Sequence, residues 1–342
     1  MKSRIGRMMG LVAVVALILA ACGEDGAVDT TSPAGENGGE SSGSIVVSGS
    51  STVEPITARV GEAFDDANPG VATSVEGPGT GDGFARFCAG ETDISDASRP
   101  ISEEEIADCE AAGISYVELH IATDGLTVMT NPGNEAVSCL VFTDLYALLG
   151  PESEGFATWA DANELASEIG APNAPYPDEP LIVTAPGEES GTYDTFVELV
   201  IADLAEERLG EGNDFTRADY NASANDNVIV QGITENPTSL GWVGFAFYEE
   251  NQEVLKAIEV DSGESGCVAP SAESIASFEY PLSRPLFIYV KTSDLGSRPD
   301  LVSFVDFYLS DEGLAAVSDA GYVQVPAGDM EATRTAWESA KG

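Results

Sequence analysis

The chain has 342 residues and 43% hydrophobic content, enough for one large or two medium globular domains. The 14 Lys and Arg stand against 59 Asp and Glu, a formal net charge of −45. A surface this acidic repels nucleic acid and anionic lipid, which argues against a nucleic-acid function and leaves the choice of small ligand open.

Lys2, Arg4 and Arg7 open the sequence, and an apolar run follows over residues 10–20. That run is too short for a comfortable membrane span and reads as an export signal. It ends in Leu19-Ala20-Ala21-Cys22-Gly23, which resembles a bacterial lipobox. Residues 1–21 are therefore expected to be a lipoprotein signal peptide, with Cys22 the lipid-bearing residue after cleavage. Residues 22–44 hold Gly, Ser, Thr, Glu and Asp with almost nothing to bury, the composition of a disordered tether. The expected location is extracytoplasmic, in the periplasm or on the outer face of the cytoplasmic membrane, anchored there by lipid. Setting Cys22 aside, Cys88, Cys109, Cys139 and Cys267 form an even set for an oxidising compartment, open to three disulfide connectivities. A zinc site is disfavoured, because no C-x-x-C spacing occurs and His120 is the only histidine.

From residue 45 onward, short apolar strands alternate with helical patterns, which predicts an α/β fold with mostly parallel sheet. Strands are expected at 45–47, 71–75, 94–97, 116–121, 126–130, 181–184, 240–245 and 286–290. Helices are expected at 55–67, 84–89, 103–112, 142–149, 160–168, 194–209, 226–235, 272–277 and 301–309. The clearest is 194–209, where Phe196, Val197, Leu199, Val200 and Leu204 fall on one stripe.

Three strand-to-helix junctions carry Ser, Thr and Gly just where the helix begins. The first is Ser48-Gly-Ser-Ser-Thr-Val-Glu-Pro-Ile56, the second Gly77-Pro-Gly-Thr-Gly-Asp-Gly83, the third Ala185-Pro-Gly-Glu-Glu-Ser-Gly-Thr192. A helix start leaves N–H groups unpaired and carries partial positive charge, and glycine lets a ligand approach the backbone. One such junction reads as an ordinary N-cap. Three in one chain point to an anion held between helix ends. Arg99, in Asp93-Ile-Ser-Asp-Ala-Ser-Arg-Pro100, brings a fork suited to an oxyanion. Asp124, in Ile121-Ala-Thr-Asp-Gly125, can accept a hydrogen bond from an anion that keeps a proton, as phosphate does and sulfate does not.

These segments resemble the phosphate-binding proteins of the high-affinity phosphate ABC transporter, the PstS family, and particularly its SphX-like branch. The matching text runs through Gly49–Ile56, Gly79–Phe84, Phe87–Ile101, Asp124–Val128, Glu189–Phe196, Asp226–Gly232 and Pro281–Val290. The resemblance implies a two-lobed periplasmic-binding-protein (type II) α/β fold with the ligand in the interlobe cleft. It implies lobe I at 45–123 and 280–342 and lobe II at 124–279. These lobes favour the pairs Cys88–Cys109 and Cys139–Cys267, each inside one lobe. The resemblance also implies that Ser51, Thr52 and the Val53 N–H come from the first junction, Thr80 and Gly81 from the second, and Ser190, Gly191 and Thr192 from the third. Ser98 and Arg99 would line the opposite rim, and Asp124 would accept the phosphate proton. The chain departs from the better-known branch at two places. Pro186 stands where that branch has an arginine, and Ser98 where it has an aspartate. Arg99 is expected to supply the missing cation, with Arg86, Arg217 and Arg284 in reserve.

The implied function is a monomeric solute-binding lipoprotein, without cofactor, that captures inorganic phosphate and delivers it to a membrane permease. Two alternatives remain at this level. The same fold could serve another tetrahedral oxyanion such as sulfate or molybdate. An exported hydrolase would use Ser190 as nucleophile, but Gly187-Glu-Glu-Ser-Gly191 is not G-x-S-x-G and His120 would have to be its base.

Overall fold

The computed structural model describes residues 43–263 and 266–342. The signal peptide, Cys22 and all but the last two residues of the tether lie outside that range.

The first lobe begins with β1 (Gly43–Gly49), α1 (Glu54–Ala67), β2 (Val71–Glu76), α2 (Thr80–Cys88), β3 (Ile94–Ala97) and α3 (Glu103–Ala112). Each helix forms for a local reason. Ile56, Val60 and Phe64 make the buried stripe of α1, while α3 starts in a capping box between Ser102 and Glu105 and stops at Gly113 with φ 72°. The chain then crosses along β4 (Tyr116–Thr130). The second lobe holds β5 (Cys139–Val141), α4 (Phe142–Leu149), α5 (Asn163–Ile169), β6 (Ile182–Ala185), α6 (Gly191–Phe196), α7 (Ala202–Leu209), β7 (Asn221–Ala222) and α8 (Asp226–Glu235). It ends with β8 (Ser239–Gly244), α9 (Phe245–Asn251), β9 (Lys256–Ala257), β10 (Glu259–Asp261) and α10 (Ala272–Ala276). Strand β11 (Ser283–Lys291) returns to the first lobe, which α11 (Pro299–Tyr308), α12 (Asp311–Asp319) and α13 (Ala327–Lys341) complete.

Among the described residues, the two largest hydrophobic cores flank the crossing strands. One gathers Ile45, Val60, Phe64, Ile121, Ile288, Phe304 and Trp337; the other gathers Leu126, Tyr146, Phe196, Trp242, Ile258 and Tyr280. The sheet order is β2-β1-β3-β11-β4-β8-β6-β7, with β9 also on β4.

Four expectations need correcting here. The sheet is mixed rather than mostly parallel, since β11 runs antiparallel to β3 and β4, and β4 antiparallel to β8. Two strands that cross between lobes in opposite directions impose this. The strands expected at 116–121 and 126–130 are one strand, because Asp124 is satisfied by Arg284 of β11 and Thr195 of α6 instead of capping a turn. The helix expected at 194–209 begins earlier, at Gly191, and contains a π segment at Val197–Ile201. The expected helix at 160–168 splits into a short 3₁₀ turn, Trp159–Ala162, and α5.

Cys88 joins Cys109, with Cα atoms 4.3 Å apart, and Cys139 joins Cys267 at 6.0 Å. The first bridge ties the end of α2 to α3. Among the described residues, no helix is long and apolar enough to cross a membrane.

Candidate functional site

The crossing strands bring three helix starts to the space between the lobes. At the first, β1 ends at Gly49, where a side chain would collide with the Asp96 carbonyl; its Cβ would lie 2.0 Å from that oxygen. The Ser50 N–H donates to the same carbonyl at 2.9 Å and turns the chain into α1. At the second, Gly83 of α2 packs on β1 so tightly that a Cβ would lie 2.4 Å from Gly49 Cα. That close approach fixes Thr80, the first residue of α2, beside the Ser50–Thr52 turn. Neither α1 nor α2 has a side-chain cap on its first turn. At the third, Ser190 caps α6 by accepting from the Thr192 N–H at 3.2 Å.

The expected ligand residues separate into three groups. Ser51, Thr52, Thr80 and Ser98 line one cavity of about 280 Å³, with Asp194, Glu198 and Asp214 facing them from the second lobe. Within it Thr80 Oγ1 and Ser98 Oγ are 3.0 Å apart, and Ser51 Oγ donates to Asp194 at 2.6 Å. Asp124 and Thr192 line a second cavity of about 290 Å³ with Asp226, Glu250, Asp319 and Tyr322. Gly81 and Arg99 belong to neither, and lie together on a surface hollow beside Glu105. The Val53 side chain is fully buried, and its N–H donates to the Ser50 carbonyl at 3.2 Å. Ser190 and Gly191 abut the first junction directly, since Thr52 Oγ1 reaches the Gly191 carbonyl at 3.3 Å.

Arg99, expected as the cation, points away from the hydroxyl-lined cavity. Both Nη atoms bond Glu105 at 2.8 Å, and the guanidinium lies 5.7 Å over the Phe84 ring. The bond to Glu105 pushes the guanidinium pKa further up, as an ion pair does. Arg86 and Arg217, two of the reserves, are likewise paired with Glu76 and Asp219.

The arginine between the lobes is Arg284 of β11, only 5% exposed. Its Nη2 donates to Thr52 Oγ1 at 2.8 Å and to Thr195 Oγ1, its Nε lies 3.4 Å from Asp124 Oδ2, and its Nη1 meets Glu198. Thr195 Oγ1 also donates to Asp124 at 2.8 Å. One buried guanidinium thus links the cavity at Thr52 to the cavity at Asp124. The sequence held Arg284 only in reserve, and Thr195 and Glu198 not at all. The signal for Arg284 was the single charge within Pro281–Val290, a stretch otherwise free of charged residues.

Asp96 was also missed. It sits at the end of β3 under α1, where Thr57 Oγ1 donates to Oδ1 at 3.0 Å and Tyr308 OH lies 3.0 Å from that same hydroxyl. Its Oδ2 has no partner among the described residues. Burial pushes the carboxyl up to about 8, with the Thr57 bond opposing. The sign of it in the sequence was an acid within Ile94-Ser-Asp-Ala97, a strand in which every residue is buried.

Known proteins give this geometry a context. Residues 34–312 match the PBP superfamily domain. The SphX protein of Synechocystis is 41% identical over 289 residues, 84% of this chain and 80% of that protein. The phosphate-binding protein PstS of Staphylococcus epidermidis is 36% identical over 290 residues, 85% of this chain and 81% of that protein. A solved structure of a possible phosphate-binding protein from Planctomyces limnophilus is similar at a TM-score of 0.79 and 38% identity, covering 87% of this chain and 99% of that one.

Proposed function

Because the chain belongs to the PBP superfamily, alongside the PstS and SphX proteins, we propose that it captures inorganic phosphate between its lobes and delivers it to the permease of an ABC transporter. The observation that carries this reading is the 280 Å³ cavity, where the hydroxyls of Ser51, Thr52, Thr80 and Ser98 meet the uncapped starts of α1 and α2 next to Arg284. Such a site suits a small tetrahedral oxyanion. Charge-assisted hydrogen bonds contribute about 1.5–3 kcal/mol each, so several suffice for micromolar binding at about −8 kcal/mol. The surface charge of −45 does not forbid it, since a field screened over about 8 Å at physiological salt is outweighed by fixed local donors.

In this reading Arg284 takes the cationic role foreseen for Arg99. Asp124 and Thr192 line the adjoining cavity across Arg284, and it is further closure of the lobes that brings Asp124 to the ligand's proton and the Ser190–Thr192 turn over the anion. The first lobe is proposed to span 45–123 and 280–342, and the second 124–279. The receptor acts as a monomer without catalysis, held to the membrane by lipid on Cys22. Its hydrolase alternative is disfavoured because the Ser190 hydroxyl caps α6, while His120 packs against Phe278 and Phe287.

Calorimetric titration with phosphate, arsenate, sulfate and molybdate at pH 5 and pH 8 tests the proposal. Phosphate is expected to bind at micromolar Kd or tighter, with sulfate at least a hundredfold weaker at both values. Tighter binding of sulfate or molybdate than of phosphate would overturn it.

A further inference from the structure

We propose that Glu198 is a built-in competitor that the captured anion must displace from Arg284, so that it limits affinity and speeds release. This rests on the reading of the hydroxyl-lined cavity as the anion site. Four side chains hold Arg284, and three of them are sealed from water: Thr52 is 1% exposed, Thr195 0% and Asp124 4%. Glu198 differs, with its side chain 55% exposed against 6% for Arg284. It approaches from the solvent side and engages Nη1, the edge of the guanidinium that the buried partners leave over.

Its position in the chain is unusual as well. Glu198 lies in the π segment Val197–Ile201, between α6 and α7. A π turn inserts an extra residue into the helical path and re-aims the side chains after it, and such turns recur at functional sites. Here Val197, Val200 and Ile201 stay buried in the second core while Glu198 turns toward the other lobe. Glu198 also lines the same cavity as Ser51, Thr52, Thr80 and Ser98. The carboxylate therefore stands between the cavity and its nearest buried cation. An oxyanion seated on the hydroxyls reaches Nη1 only when Glu198 swings out, and like charge makes the two exclusive. A receptor that has to give its cargo away gains from such a rival, because it shortens the bound lifetime without dismantling the donor set.

Phosphate titration and stopped-flow release, run on the full mature chain and on Glu198→Gln, Glu198→Ala and Glu207→Gln, test the proposal. Glu207, exposed on α7, controls for loss of one negative charge from the same helical run. Both Glu198 variants are expected to bind phosphate about three- to tenfold tighter, mainly through slower release, with Glu207→Gln unchanged. Weaker binding by the Glu198 variants would show that the carboxylate positions Arg284, and overturn the proposal. So would a Kd within twofold of wild type, or an equal gain in Glu207→Gln. If the unaltered chain prefers another tetrahedral anion, the phosphate reading fails separately, and the same comparison is read with that anion. A chain that binds none of them overturns both.

Discussion

The Thr52 Oγ1 and the Gly191 carbonyl oxygen lie 3.3 Å apart, the first residue coming from the turn before α1 and the second from the start of α6 in the other lobe. A Cβ at Gly191 would stand 3.0 Å from Thr52 Cα and 3.2 Å from the Ser51 carbonyl, a tight contact with backbone that has no flexible end to move aside. Gly191→Ala is therefore expected to act as a wedge between the lobes. Alanine suits a helix start at this residue, so thermal stability should stay close to wild type. Phosphate affinity should fall about tenfold, a loss near 1.4 kcal/mol. Calorimetry beside a melting curve checks both halves. A variant that binds normally shows that these two turns do not have to touch for capture.

Arg284 and Arg99 make opposite predictions. Removing Arg284 outright would leave Asp124 buried with its ion-pair partner lost, a cost of about 3–5 kcal/mol in stability. Arg284→Lys keeps the charge and avoids that penalty. A lysine ammonium cannot span Thr52, Thr195 and Asp124 at once, so phosphate affinity is expected to drop at least tenfold (on the order of 1.4 kcal/mol). Arg99→Ala removes a surface pair with Glu105, worth at most about 1 kcal/mol, and should move phosphate Kd by less than threefold. The reverse ranking would return the cationic role to Arg99.

The surroundings of Arg99 and Arg284 mark where the sequence was legible and where it was not. Junction chemistry is local: Gly, Ser and Thr at a helix start can be read from neighbours in the chain, and Ser51, Thr52, Thr80 and Ser98 do share a cavity. Which partner an arginine takes is not fixed by its neighbours in the chain. Glu105 lies six residues from Arg99 and captures it, whereas Arg284 meets Thr52 across 232 positions. Periodicity found α1, α3, α4 and α8 because their apolar stripes are plain. It missed α13, whose buried face is Met330, Thr333 and Trp337, because a threonine and the alanines around it leave a weak stripe. It divided β4 at Asp124 because an acid and a glycine normally mark a turn, and the side chains that satisfy this acid come from β11 and α6.

Asp96 makes stability depend on pH. Its carboxyl titrates near 3.8 in the unfolded chain and is pushed up to about 8 by burial in the fold. Between those values the folded state holds a proton that the unfolded state has released, so stability falls as pH rises through that window. Below the window both states are protonated, and the full stability is present. Asp96→Asn keeps an acceptor for Thr57 and cannot ionise. It should therefore match wild type near pH 4 and exceed it increasingly up to pH 8, by on the order of a few kcal/mol. Urea unfolding at four or five pH values measures the difference. A gap that stays constant with pH would mean Asp96 does not titrate in this range.

The two disulfides should separate stability from capture. Cys139 and Cys267 close a span of 128 residues, Cys88 and Cys109 one of 21. On chain entropy alone, opening the longer loop costs about 1.5 kcal/mol more than opening the shorter. Position argues the other way for binding. The short bridge anchors the end of α2, whose first residue is Thr80, to α3. The long one ties β5 to the segment after β10, among residues that line neither cavity of the cleft. Replacing Cys139 and Cys267 together by alanine is thus expected to give the larger fall in denaturation midpoint while leaving phosphate Kd within twofold. Replacing Cys88 and Cys109 should cost less stability yet weaken phosphate binding severalfold, because Thr80 and Ser98 lose their fixed spacing of 3.0 Å. Equal effects of both pairs on Kd would mean that the frame of α2 is set by the contact of Gly83 with Gly49 alone, and that the bridge beneath it adds nothing to the site.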